Sequence, residues 1–169
     1  MTSEGAGRAQ GVVRFSDGGT VLGQAELSNG VARLRLPSTL AVGTHRITAT
    51  FVPSDASTQA PSVSAEAVVS VVKASATVRS RLAKSSVKRT QRAKVTVTVA
   101  APGLRPGGRV AVKVTRKGVT RTVTGTVRNG RVTLRLPKLR KGTYSVRAVY
   151  AGSPTVGART APKVTLRVR

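Results

Sequence analysis

The sequence predicts an all-β protein built from two tandem sandwich modules, and three observations carry that prediction. The first is composition: Val, Thr, Ala, Gly and Arg dominate, and no run of Leu, Glu, Lys and Ala recurs at helical spacing. Local preference therefore favours strands joined by Gly and Pro turns, with almost no helix. The second is an internal repeat. Residues 28–37, Ser-Asn-Gly-Val-Ala-Arg-Leu-Arg-Leu-Pro, match residues 128–137, Arg-Asn-Gly-Arg-Val-Thr-Leu-Arg-Leu-Pro, at an offset of 100. Residues 43–51, Gly-Thr-His-Arg-Ile-Thr-Ala-Thr-Phe, match residues 142–150, Gly-Thr-Tyr-Ser-Val-Arg-Ala-Val-Tyr, at an offset of 99. Self-similarity at domain length means duplicated modules rather than a short-period solenoid, and a chain of 169 residues suits two compact modules near ~100 residues each. The third is alternation, with Val95, Val97 and Val99 separated by threonines, and Val110, Val112 and Val114 separated by Ala111 and Lys113. That is the period of half-buried strands.

Taken in order, residues 1–10 are polar and small and are expected to be disordered. A first module, 11–73, offers strands over 12–15, 20–27, 31–36, 45–52 and 64–72. A second, 74–169, offers seven: 77–82, 95–99, 110–114, 119–127, 132–136, 144–150 and 164–168, each bounded by Gly, Pro or Asn-Gly. Seven short strands in one module of this size imply a sandwich. Asn29-Gly30 and Asn129-Gly130 are expected in tight hairpin turns, since a type I′ turn needs positive φ at both central positions, and Asp17-Gly18 in another. Pro37 and Pro137 read as strand stops. Phe15, Phe51, Tyr144 and Tyr150 are the whole aromatic set, so the cores fall to Val, Leu, Ile and Ala.

Residues 11–23, Gly-Val-Val-Arg-Phe-Ser-Asp-Gly-Gly-Thr-Val-Leu-Gly, followed by Asn29-Gly30, Leu36-Pro37 and the 43–51 segment, resemble the bacterial Ig-like repeats of large surface and secreted proteins. The resemblance implies two tandem immunoglobulin-like β-sandwich modules, a spacer, stalk or adhesive role, and an extracellular or cell-wall location. Repeats of this type begin with two further strands ahead of the Gly-x-Val-x-Phe segment. The first module is therefore expected to lack its N-terminal strands, leaving one sheet incomplete and a strand edge unpaired. Further Ig-like modules N-terminal to this chain, or a partner strand, are the expected occupants of that gap.

Several chemistries are set aside by residue content. There is no cysteine, which removes disulfides, thiolate catalysis and Cys-ligated metal. No basic stretch followed by an apolar one opens the chain, so no signal peptide is expected in it, and no window approaches ~18 consecutive apolar residues, so no membrane span is expected. The only histidine, His45, aligns with Tyr144 at the start of a strand and reads as a tyrosine-corner position. Asp17, Glu26, Asp55 and Glu66 show no Asp-x-Asp spacing for calcium, and serines are present without a Gly-x-Ser-x-Gly elbow. No enzyme activity, cofactor or metal is expected.

The basic residues are the sharp signal. The chain carries 30 Lys and Arg against 5 Asp and Glu, a net +25. Residues 1–73 hold 6 basic and 5 acidic side chains, whereas residues 74–169 hold the other 24 basic residues and no acid. If Val112, Val146 and Leu166 face the core, strand parity turns Arg109, Lys113, Arg147, Arg167 and Arg169 out on one sheet, and Lys94, Arg131 and Arg135 out on the other. Lys84, Lys88, Arg89 and Arg92 add a basic loop. This density predicts association with an anionic cell-envelope polymer or another polyanion. The alternative is a nucleic-acid-binding module using the same faces, but no outward aromatics for base stacking and no recognition signature accompany the charge, so no specific nucleic-acid site is identified.

Overall fold

The computed structural model describes residues 9–169; residues 1–8, most of the segment expected to be disordered, lie outside the described residues. The chain divides into two compact units, Met1–Val72 and Lys73–Arg169, and every regular element among the described residues is a strand.

The first unit holds one sheet. Strands β1 (Gly11–Asp17), β2 (Thr20–Glu26), β3 (Gly43–Pro53) and β4 (Ser62–Val63) lie in the order β2-β1-β3-β4, and β5 (Ala67–Val71) also pairs with β3. The β1–β2 turn is centred on Gly18-Gly19, with φ of 51° and 92°, rather than on Asp17-Gly18, because Asp17 is still paired with Thr20. The strand expected over 64–72 is split. Ser64 N–H donates to the Ala49 carbonyl at 2.9 Å and its hydroxyl accepts Ala49 N–H at 3.0 Å, so a side-chain oxygen stands in for a backbone acceptor and the ladder breaks between β4 and β5.

The strand expected over 31–36 does not form; Val31 makes a single bridge with Ser28. Its alternation survives, with Ala32, Leu34 and Leu36 half-buried and Arg33 and Arg35 exposed. What is absent among the described residues of this unit is a strand to pair with. Val13 and Ile47 are the buried aliphatic residues here, while Phe15 and Phe51 are only half-buried.

The second unit is a complete two-sheet sandwich. Its strands are β6 (Thr77–Leu82), β7 (Ser86–Val87), β8 (Lys94–Ala100), β9 (Gly108–Arg116), β10 (Val119–Val127), β11 (Arg131–Arg135), β12 (Gly142–Tyr150), β13 (Arg159–Thr160) and β14 (Val164–Val168). One sheet runs β10-β9-β12-β14-β7, with β13 on β12; the other runs β11-β8-β6. β7 and β13 were not expected, since two residues carry no periodicity. The alternating valines meet between the sheets: Val95 and Val97 of β8 face the same core as Val112 of β9 and Val146 of β12, all with no exposed surface. Asn129 and Gly130, at φ of 49° and 75°, make the expected tight turn. The strands it joins lie in different sheets, however, so the turn carries the chain from β10 across to β11 rather than closing a hairpin within one sheet. Gly130 is needed there twice over, for its positive φ and because an added Cβ would sit 2.6 Å from the Val99 carbonyl oxygen of β8.

Candidate anion-binding surface

In the three-stranded sheet the register of β6, β8 and β11 sets out a flat outer face. Arg79, Thr98 and Arg131 form one row, Arg81, Thr96 and Thr133 the next, and Lys94 and Arg135 a third. Arginines therefore border a threonine centre, where Thr96 and Thr133 share a hydroxyl hydrogen bond at 3.0 Å. Long cationic side chains around short hydroxyls leave a shallow cleft of about 470 Å³ lined by Arg79, Arg81, Arg131, Thr96 and Thr98. Arg79 and Arg81 were missed from sequence, although the inward Val78 beside them carried the signal.

At the end of this sheet the loop after β6 folds against the chain. A second cleft, about 600 Å³, is lined by Lys84, Arg92, Lys94, Arg135 and Lys138, with Val87 and Ala93 among its apolar lining. The structure thus brings together four residues expected from two separate groups, the loop residues Lys84 and Arg92 and the sheet residues Lys94 and Arg135. Lys138 joins them from the segment that follows β11. Lys88 and Arg89 lie in the same exposed loop, which is tied to the C-terminus where Arg89 N–H donates to the Arg169 carbonyl at 2.8 Å.

On the opposite sheet Lys113 is paired directly with Arg147 across β9 and β12, and Arg109 and Arg167 project on the same side. These four remain exposed on an open strand surface. A third cleft, about 370 Å³, lies at the β9–β10 turn, where Arg116, Lys117, Arg121, Lys138 and Arg140 surround Val114, Val119, Leu139 and Tyr144. The Arg116 guanidinium lies 5.6 Å from the centre of the Tyr144 ring, close enough for cation–π attraction. Lys117 sits at φ 46° beside Gly118 at 78°, a left-handed conformation that Asn or Gly adopts at lower cost.

Three of the acidic side chains, Asp17, Asp55 and Glu66, are engaged structurally in the first unit. Asp55 accepts hydrogen bonds from the Ser57 N–H and hydroxyl, which lower its pKa, and Glu66 pairs with Arg46 at 2.9 Å. Asp17 accepts from His45 Nδ1 at 2.6 Å and from Arg46 N–H at 3.0 Å, while His45 Nε2 donates to the Ala41 carbonyl at 2.8 Å. Both neighbours of the imidazole are acceptors, so the ring satisfies both only as the doubly protonated cation. The hydrogen bond to Asp17 leads in raising the His45 pKa, and that from His45 leads in lowering the Asp17 pKa. The equivalent Tyr144 hydroxyl donates to the Arg140 carbonyl at 2.8 Å, also four residues upstream. His45 is thus a corner residue, as the alignment implied, and the fold adds the Asp17 partner that lies 28 residues away. No group of three or more His, Cys, Asp or Glu side chains suited to a metal occurs among the described residues. No helix among them is long and apolar enough to cross a membrane.

No curated protein matches the chain. Among solved structures, the FN1–FN3 domains of chicken CNTN1 align with it at 12% identity and a TM-score of 0.34, covering 95% of this chain and 54% of that one. The description of the bacterial Ig-like domain, group 3, matches residues 1–72 and again residues 80–169. Two matches spanning nearly the whole sequence, on a fold of one complete and one partial sandwich, place this chain in the bacterial Ig-like domain (group 3) family.

Proposed function

We propose that the protein is a non-catalytic display or adhesive module of the bacterial surface, whose second unit holds it to an anionic polymer of the envelope. The observation that carries this reading is the cleft where Lys84, Arg92, Lys94, Arg135 and Lys138 converge, in a unit whose sequence contains no acidic residue to compensate them. Clustered like charges repel, and that repulsion is relieved when a polyanion brings phosphates or carboxylates and releases its own counterions. Threonines between the arginines supply hydroxyls for the same oxygens. Extended polymers suit such a surface better than a small ligand, because the cationic positions continue along both sheets rather than closing over one pocket.

The test is retention of the protein on purified cell wall, on wall stripped of teichoic acid and on duplex DNA, each across a salt series. Retention that falls when teichoic acid is removed supports anchoring by the basic unit. Equal binding to all three, erased together by salt, would show charge without a dedicated partner, and no binding at low salt would overturn the proposal. Nucleic-acid recognition is not favoured by the geometry, since Tyr144 and Tyr150 are 8% and 0% exposed and offer no face for base stacking.

A further inference from the structure

Strand parity puts two arginines of the second unit on the side of the sheet that faces the core. On β9 the inward positions run Val110, Val112 and Val114, each at most 1% exposed, and then Arg116. On β10 the residues paired with Val112, Val114 and Arg116 are Val123, Arg121 and Val119. Arg116 and Arg121 therefore project from the core-facing side, at the end of the sandwich where the β9–β10 turn lies. A charge in such a place calls for a counter-charge or a hydrogen-bonded partner. Residues 74–169 contain no Asp or Glu, and among the described residues no hydrogen bond or ion pair reaches either guanidinium.

Arg116 is nevertheless held in place. A Cβ on Gly142 would lie 2.6 Å from its Cζ and Nε, so the guanidinium rests against the bare backbone there, while the Tyr144 ring stands 5.6 Å away. The Tyr144 hydroxyl donates to the Arg140 carbonyl at 2.8 Å, which ties down the segment that covers this end. In that segment Leu139 is buried, and Lys138 and Arg140 are exposed on either side of it. Five cations thus converge on one cleft of about 370 Å³, within the usual size of a small-ligand site. Its other lining residues set it apart from the cleft of the three-stranded sheet, where Thr96 and Thr98 offer hydroxyls between the arginines. Here no serine or threonine lines the cleft, and Val114, Val119, Leu139 and Tyr144 fill the spaces between cations. Val119, 69% exposed, is the apolar rim. A chain of polyol phosphates would set its hydroxyls against this lining without partners, whereas a ligand with one anionic head and one apolar part matches both halves of it.

We infer that this cleft binds a small amphipathic phosphate, a phosphate monoester whose head lies among Arg116, Arg121, Lys138 and Arg140 and whose alkyl group lies over Val119. A monoester head carries close to two charges and three acceptor oxygens, and the planar fork of Arg116 offers two parallel donors to such oxygens. The site shares only Lys138 with the cleft assigned to the envelope polymer, and it does not depend on that assignment.

The experiment titrates hexyl phosphate and, separately, inorganic phosphate into the isotopically labelled 169-residue protein. Hexyl phosphate is expected to bind about tenfold more tightly, since each methylene buried is worth roughly fourfold, and to shift amides of residues 116–121 and 138–144. Arg116→Lys keeps the charge but loses the fork over Gly142 and Tyr144, and should weaken hexyl phosphate on the order of tenfold. Arg121→Gln, altered at an exposed position, is a second variant with the same direction of effect, and melting curves check that both fold. The variant K84Q/R92Q/K94Q/R135Q should bind hexyl phosphate within about threefold of the natural chain, so loss of this site and loss of polymer binding are separable. Equal affinity for the two probes would overturn the inference, as would shifts mapping to the cleft of Lys84 and Arg135. No binding at about 10 mM hexyl phosphate, where ~1 mM association would be near saturation, would overturn it too. Vesicles of phosphatidylcholine with about one-fifth phosphatidic acid decide the source: co-sedimentation that requires Arg116 assigns a lipid head group, and hexyl phosphate binding without co-sedimentation assigns a soluble phosphate ester.

Discussion

His45 shows how one substitution within a repeat changes what a residue does. At the same corner Tyr144 donates one hydrogen bond, to Arg140, through its hydroxyl, whereas His45 donates two, to Ala41 and to Asp17. The second bond makes the first unit sensitive to pH. His45 has its pKa raised from 6.5, so its contribution is complete below pH 6.5 and is lost as pH climbs through the raised value. Asp17 has its pKa lowered from 3.8, so its contribution is present above pH 3.8 and is lost as pH falls through the lowered value. Thermal melts of the first unit should therefore peak between these limits. His45→Tyr, which keeps a donor to Ala41 but cannot carry the imidazolium charge, should flatten the decline as pH rises past 6.5; an unaltered decline would mean that another group is responsible.

The strands compare one sheet position with and without its neighbour. Gly130→Ala forces a Cβ against the Val99 oxygen at 2.6 Å in addition to a positive φ, whereas Gly30→Ala meets only the φ penalty. By denaturant unfolding, the first substitution should cost the second unit about 1–3 kcal/mol more than the second costs the first unit. Equal costs would contradict the assignment of an empty strand position beside residues 31–36. Likewise Leu136→Ala, from a site with no exposed surface, should cost about 2–5 kcal/mol, and Leu36→Ala, from its half-buried counterpart, clearly less. Much of this architecture was legible beforehand. Alternation placed the strands of the second unit because Val95, Val97, Val112 and Val114 are separated by residues that face solvent or the sheet surface, and the offset of 100 announced the duplication. Alternation alone did not foretell that residues 31–36 stay unpaired, since a strand is a property of two segments and its partner was not in the pattern. It also missed the two-residue β7 and β13, and the hydroxyl of Ser64 that divides β4 from β5, because a single side-chain hydrogen bond leaves no periodic trace.

For the molecule as a whole, charge and fold are divided between the units. The first unit carries nearly equal numbers of basic and acidic side chains and pairs Arg46 with Glu66 and His45 with Asp17. The second carries basic residues on both sheets and in the loop before β8, uncompensated within its own sequence. Strand parity found which residues face outward, but not that Lys84 and Arg92 close around Lys94 and Arg135; that depends on the path of an irregular loop, which no period encodes. Self-repulsion of this kind predicts that a soluble polyphosphate, or simply higher salt, raises the melting temperature of the second unit while leaving the first nearly unchanged. An equal shift in both units would show that the effect is not electrostatic relief in the basic sandwich. The most direct measurement of the anchoring role is the affinity of the protein for poly(glycerol phosphate) as a function of salt, for the natural chain and for a variant carrying K84Q, R92Q, K94Q and R135Q. If the cleft binds the polymer, the variant loses affinity at low salt and its log–log salt slope falls by about one for each phosphate contact removed; the same affinity and slope in both proteins would contradict it.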